Sequence, residues 1–114
     1  NQMIDKRIYI WQRLSALVMI PLVIGHLAVM IHAIKGGLSV AEILGRTQDS
    51  IVWLLFYGSF VLAVSVHAAL GLGVISAEWL SLKPRMAAYL SLAIGLVLLA
   101  MGSHAIWAVT FATP

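Results

Sequence analysis

Residues 50–77 read SIVWLLFYGSFVLAVSVHAALGLGVISA, an unbroken run without Asp, Glu, Lys or Arg. At 1.5 Å per residue, a helix of this length exceeds the roughly 30 Å of bilayer hydrocarbon. Uncharged runs at 14–34 and 86–114 flank it and are also long enough to cross. The chain as a whole is 62% hydrophobic and only 10% charged, well beyond the apolar share of a soluble domain. The expected fold is therefore an all-α membrane protein in a single domain, 1–114, with helix I at about 9–34, helix II at about 50–80 and helix III at about 84–111.

The charged residues lie in the connections. Asp5, Lys6 and Arg7 open an amphipathic lead-in, and Lys35-Gly36-Gly37 closes helix I. Residues 38–44 can form a short interfacial helix, with Ser39 as its cap and Glu42 three positions on. Pro84 suits the first turn of helix III, where its missing N–H costs nothing, whereas Pro21 lies inside helix I, where membrane helices tolerate a kink. Lys6, Arg7, Arg13, Lys83 and Arg85 fall on one side of the expected hairpins, and Lys35 and Arg46 fall on the other. The positive-inside bias then puts the N-terminus in the cytoplasm and the C-terminus outside. On this reading the net charge of +3 reports topology, with no nucleic-acid partner. Trp11, Trp53, Trp79 and Trp107 stand near expected helix ends, as an interfacial aromatic belt does.

The chain contains no cysteine, so any iron–sulfur chemistry belongs to another polypeptide. The first apolar segment is too long for a signal peptide and lacks a small-residue cleavage pattern, so it is expected to stay in the mature protein. Three helices enclose little interior of their own. The small residues Gly58/Ala63, Ala69/Gly73 and Gly95/Ser103 suggest packing against helices of a partner.

Four histidines remain to be explained. With Arg13 and Glu78 taken as marks of the inner surface, His26 lies about 20 Å and His67 about 16 Å into the membrane, whereas His32 and His104 lie about 28 Å across. The outer pair read as interfacial amphipathic rings, with proton exchange or an outer quinone site as the alternative. An imidazole at the depth of His67 is costly without a partner, and no charged residue shares that depth. In an apolar bundle the natural partner is haem iron held between two histidines on facing helices; a hydrogen-bonded structural role is the alternative. Gly71, one turn on, would leave room for a porphyrin edge. His26 is a candidate second ligand. Neighbouring helices only about 8–10 Å apart leave no room for a macrocycle between them, so each histidine is expected to face a histidine of another chain.

In order along the chain, Trp11-Gln12-Arg13-Leu14-Ser15, His26, His67-Ala68-Ala69-Leu70-Gly71, Glu78-Trp79 and Lys83-Pro84-Arg85 resemble the cytochrome b membrane-anchor subunits of succinate dehydrogenase and fumarate reductase. The similarity covers nearly the whole chain, both to the three-helix anchors and to the C-terminal half of the fused five-helix, two-haem anchors. It implies that His67 is the axial ligand of the haem b nearer the hydrophilic subunits and that His26 matches the ligand of a second, outer haem. Arg13 matches an arginine that contacts a haem propionate and borders the inner quinone pocket; a snorkelling anchor is the other reading of it. Trp79 and Glu78 replace the tyrosine and acid that some anchors use to bind quinone, and Tyr9 and Ser15 are weaker candidates for the same pocket.

The resemblance further implies four partners: a second membrane-anchor subunit, an iron–sulfur subunit, an FAD flavoprotein and membrane quinone. It implies a bacterial or archaeal cytoplasmic membrane in preference to the mitochondrial inner membrane. The chain would be an anchor and electron-transfer subunit, with dicarboxylate chemistry left to other subunits. Two rival readings are the cytochrome anchor of another quinone-linked respiratory enzyme, and a cofactor-free small transporter or assembly protein. The first generally has more helices and histidines in one chain. A transporter would be expected to carry a charged residue at mid-membrane.

Overall fold

A computed structural model describes the backbone of residues 2–111 and the side chains of residues 6–111. It contains helices α1 (Gln2–Gly36), α2 (Val40–Thr47), α3 (Ile51–Trp79) and α4 (Pro84–Thr110). Three of them are long and apolar enough to cross a membrane, over Lys6–Gly36, Ile51–Trp79 and Pro84–Thr110. The chain is thus a multi-pass membrane protein by the length and composition of its helices.

The main departure from expectation is at the start. No Gly or Pro separates the charged lead-in from the first span, and Lys, Arg and Asp are compatible with a helix interior, so α1 runs on without a break from Gln2. It ends where Gly37 takes φ +114°, a conformation that costs glycine little. Ser39 then caps α2 as its position suggested, its hydroxyl accepting a hydrogen bond from the Glu42 amide at 3.2 Å. The short helix starts two residues later than expected and continues to Thr47. There the Thr47 hydroxyl donates to the Val109 carbonyl at 2.7 Å, and the Asp49 amide donates to the Thr110 carbonyl at 2.9 Å. These two bonds fasten α2 and its loop to the end of α4.

Helix α3 is the central element, with α1 packed on one side and α4 on the other. Both contacts are antiparallel: α1 meets α3 at Ser15/His67 and again at His26/Phe60. Along the α3–α4 seam a Cβ on Gly73 would lie 3.0 Å from Ser91 Cβ, one on Gly95 would lie 3.2 Å from Ala69 Cβ, and one on Gly102 would lie 2.5 Å from Val61 Cγ1. The Ser91 hydroxyl donates to the Ala69 carbonyl at 2.7 Å. Small residues let the two backbones approach, so Ala69, Gly73 and Gly95 serve the chain's own hairpin, correcting their assignment to a partner's helices. Gly58 has open space around it.

The distribution of side chains suits a bilayer. Among the described residues the buried apolar side chains are Ala33, Ala63 and Ala87, and the buried polar ones are Ser15, Thr47, Ser65, Ser76 and Thr110. Large apolar residues such as Ile24, Leu55 and Met101 point outward. In lipid the outside is as apolar as a protein core, and helix contacts form instead through small residues and hydroxyls.

Candidate functional site

Two histidine-centred sites lie along the α1–α3 contact. At the first, His67 Nδ1 lies 3.3 Å from Ser15 Oγ, and the Ser15 hydroxyl also lies 3.0 Å from the Gln12 carbonyl, to which it donates. A serine hydroxyl has a single proton. With that proton directed to the Gln12 carbonyl, Ser15 can only accept from the imidazole. An Nδ1–H tautomer of His67 would match that acceptor and would leave Nε2 for a metal, the arrangement a metal-ligating histidine needs. The ring also lines an open apolar groove of about 350 Å³ along α1, together with Met19, Ile20, Val23 and Ile24.

Gly71 belongs to the same cluster, but its immediate neighbour is Gln12, whose Nε2 would stand 3.1 Å from a Cβ placed there. Gln12 Oε1 is buried without a hydrogen-bond partner. Sequence reasoning quoted Gln12 only as part of a motif and gave it no role, since nothing in a single sequence shows which residue of helix I faces Gly71.

The register of these contacts corrects the depth calculation. Gln12 stands beside Gly71, so Arg13 is not level with Glu78 but lies about eight residues, or about 12 Å, deeper, near the level of His67 where no charged residue was expected. His26 lies eleven residues beyond Ser15 on α1, about 16 Å further from the His67 level. The two histidines therefore occupy different depths, and they do not share one metal plane.

His26 is set among aromatic rings, 5.0 Å from the Phe60 centroid and 6.3 Å from that of Tyr57. Gly25 beside it lies against the Phe56 ring, 3.1 Å from where its Cβ would be. Together with Arg46, Thr47, Tyr57, Phe60 and Gly102, His26 lines a pocket of about 340 Å³ that draws residues from all four helices. Two polar atoms of these lining residues, His26 Nδ1 and Arg46 Nε, are buried without a partner.

The other candidates lie apart from both clusters. Arg13 and Tyr9 are exposed on α1, the guanidinium sitting 5.0 Å over the Tyr9 ring, a cation–π contact between residues one turn apart. Glu78 and Trp79 are exposed at the end of α3. His32 is exposed near the end of α1, and His104 stacks on Trp107 at 6.3 Å on α4. Compared with protein-family models, curated proteins and solved structures, the chain matches none. What it can do chemically must therefore be read from its own groups. An apolar groove lined by an imidazole whose Nδ1 faces a serine hydroxyl is suited to iron coordination through the other ring nitrogen, and the surroundings of His67 fit a haem ligand.

Proposed function

We propose that this chain is a haem b-binding membrane-anchor subunit of a succinate:quinone oxidoreductase, a succinate dehydrogenase or fumarate reductase of a bacterial or archaeal cytoplasmic membrane. In this reading it docks an iron–sulfur subunit and an FAD flavoprotein at the end where α1 begins, pairs with a second membrane-anchor subunit, and supports electron transfer with membrane quinone. The observation that carries the reading is the Ser15–His67 pair beside an apolar groove, in which the hydroxyl can accept from Nδ1–H so that Nε2 would serve a metal.

Bound haem would supply reversible one-electron transfer. The chain's own residues do the holding. His67 would ligate, Ser15 would orient it, and apolar side chains of α1 line the groove beside it. The 16 Å offset keeps His26, which faces Phe60 and Tyr57 of its own chain, from sharing a haem with His67, so in this reading the haem of His67 is completed by a histidine of the second anchor subunit. Arg13, near the His67 depth and stabilised over Tyr9, is placed to meet a carboxylate at the inner site.

A reduced-minus-oxidised optical spectrum of the purified complex tests the proposal. A b-type band is expected, lost in part in His67→Ala and retained in full in His32→Ala. A complex without any b-type band, or one whose spectrum survives His67→Ala unchanged, would overturn it.

A further inference from the structure

The two mid-membrane histidines differ in what stands behind the ring. His67 Nδ1 faces the Ser15 hydroxyl at 3.3 Å, whereas His26 Nδ1 is buried and has no hydrogen-bond partner. A metal-ligating histidine almost always gives its second nitrogen to a carboxylate, a carbonyl or water, which sets the tautomer and aims the ring. His26 has no such group among the described residues, and its burial closes Nδ1 to water. The space in front of the ring differs too. The groove beside His67 lies open along α1, so a partner can complete it. The His26 pocket is walled by the chain's own four helices, encloses about 340 Å³ and has no second imidazole among its lining residues. A porphyrin backed by a second histidine does not fit within those walls.

What His26 does meet is a set of aromatic rings. Its imidazole stands edge-on to Phe60 at 5.0 Å and 69°, and to Tyr57 at 6.3 Å and 83°, the T-shaped arrangement that aromatic pairs favour. Tyr57 packs in turn on Trp53 and Phe56, and Phe56 closes against Gly25, where a Cβ would lie 3.1 Å from the ring. The rings recur on α3 at spacings of three and four residues, which gathers them on one side of the helix. On α1 a glycine admits one of these rings and the next residue inserts between two others. In lipid no hydrophobic driving force holds two helices together, so fitted contacts of this kind decide how they pack.

We infer that His26 ligates no haem and is instead the centre of an aromatic clamp that fixes the register of α1 on α3, so that the only haem this chain ligates is that of His67. The inference rests on the proposed haem-anchor function and narrows it. A slide of α1 by one turn, about 5.4 Å, would carry Gly25 off the Phe56 ring and part Ser15 from His67. The clamp therefore acts on the haem site from about 16 Å away, by holding the orienting hydroxyl opposite its imidazole.

The test uses the purified complex and compares the parent with His26→Phe and His26→Ala, reading haem per complex and the temperature at which the b-type band is lost on heating. Phenylalanine keeps a ring for the clamp and has no polar atom to leave unpaired. His26→Phe is expected to retain all the haem and to lose the band no earlier than the parent. His26→Ala is expected to lose it about 5 °C or more lower, and failure of that variant to assemble, with assembly restored in His26→Phe, would support the clamp equally. Loss of a haem or of assembly in His26→Phe would overturn the inference while the haem of His67 stands. A band as heat-stable in His26→Ala as in the parent would overturn it as well. A parent complex without any b-type band would overturn the haem-anchor function instead, and helix melting of the same variants, followed by circular dichroism, would then decide the clamp.

Discussion

Ser15 has one hydroxyl proton, and the Gln12 carbonyl, 3.0 Å away, receives it, so the side chain can act only as an acceptor toward His67. Alanine at position 15 would remove that acceptor and let the imidazole take either tautomer. Partners that orient a metal-ligating histidine are typically worth about 10–100-fold in metal affinity. Ser15→Ala is therefore expected to weaken haem retention by about that factor, while Ser15→Thr, which keeps a hydroxyl, retains most of it. Haem remaining on the complex after dilution in detergent measures this directly. Equal retention in Ser15→Ala and the unsubstituted protein would show that the hydroxyl does not position the ring. The sequence showed both residues and their spacing to the charged marks, but only the register of α1 against α3 shows that they meet.

Helix contacts discriminate between glycines that look alike in sequence. A Cβ on Gly71 would meet the far end of the flexible Gln12 side chain at 3.1 Å, whereas one on Gly102 would meet Val61 Cγ1 at 2.5 Å. Valine is stiff about χ1 and has little room to turn away. Gly71→Ala is expected to leave the complex as stable as before or slightly more so, since alanine is favoured over glycine by about 1 kcal/mol in a helix interior. Gly102→Ala is expected to cost about 1–3 kcal/mol through overpacking, which outweighs the same gain in propensity. Thermal melting of the two variants in detergent should separate them, with Gly102→Ala alone lowering the midpoint. The elements themselves were readable because charge, cap and proline signals bracket each one: Ser39 marks the start of α2, Ser50 that of α3 and Pro84 that of α4. The start of α1 was missed because charged residues in the first turns of a helix do not end it, and an amphipathic lead-in and a continuous helix look the same without a breaker between them.

For the whole molecule, the antiparallel packing brings the N-terminal end of α1 and the α3–α4 turn to one end of the bundle and α2 to the other. Lys6, Arg7, Lys83 and Arg85 are then grouped at the first end, with Arg13 about two turns further along α1. By the positive-inside rule, the proposed topology has the first end in the cytoplasm. Because the chain has no cysteine of its own, single cysteines report orientation without background. Val40 on α2 is 65% exposed and Leu80 after α3 is 66% exposed, so both are accessible and neither carries a charge that sets topology. In intact cells a membrane-impermeant maleimide is expected to label Val40→Cys, whereas Leu80→Cys should remain unlabelled until the membrane is opened. The opposite pattern would place His67 nearer the outer face and His26 nearer the inner one. On the proposed function, any hydrophilic subunits would then dock at the end that holds the His26–Arg46 pocket, not at the end where α1 begins.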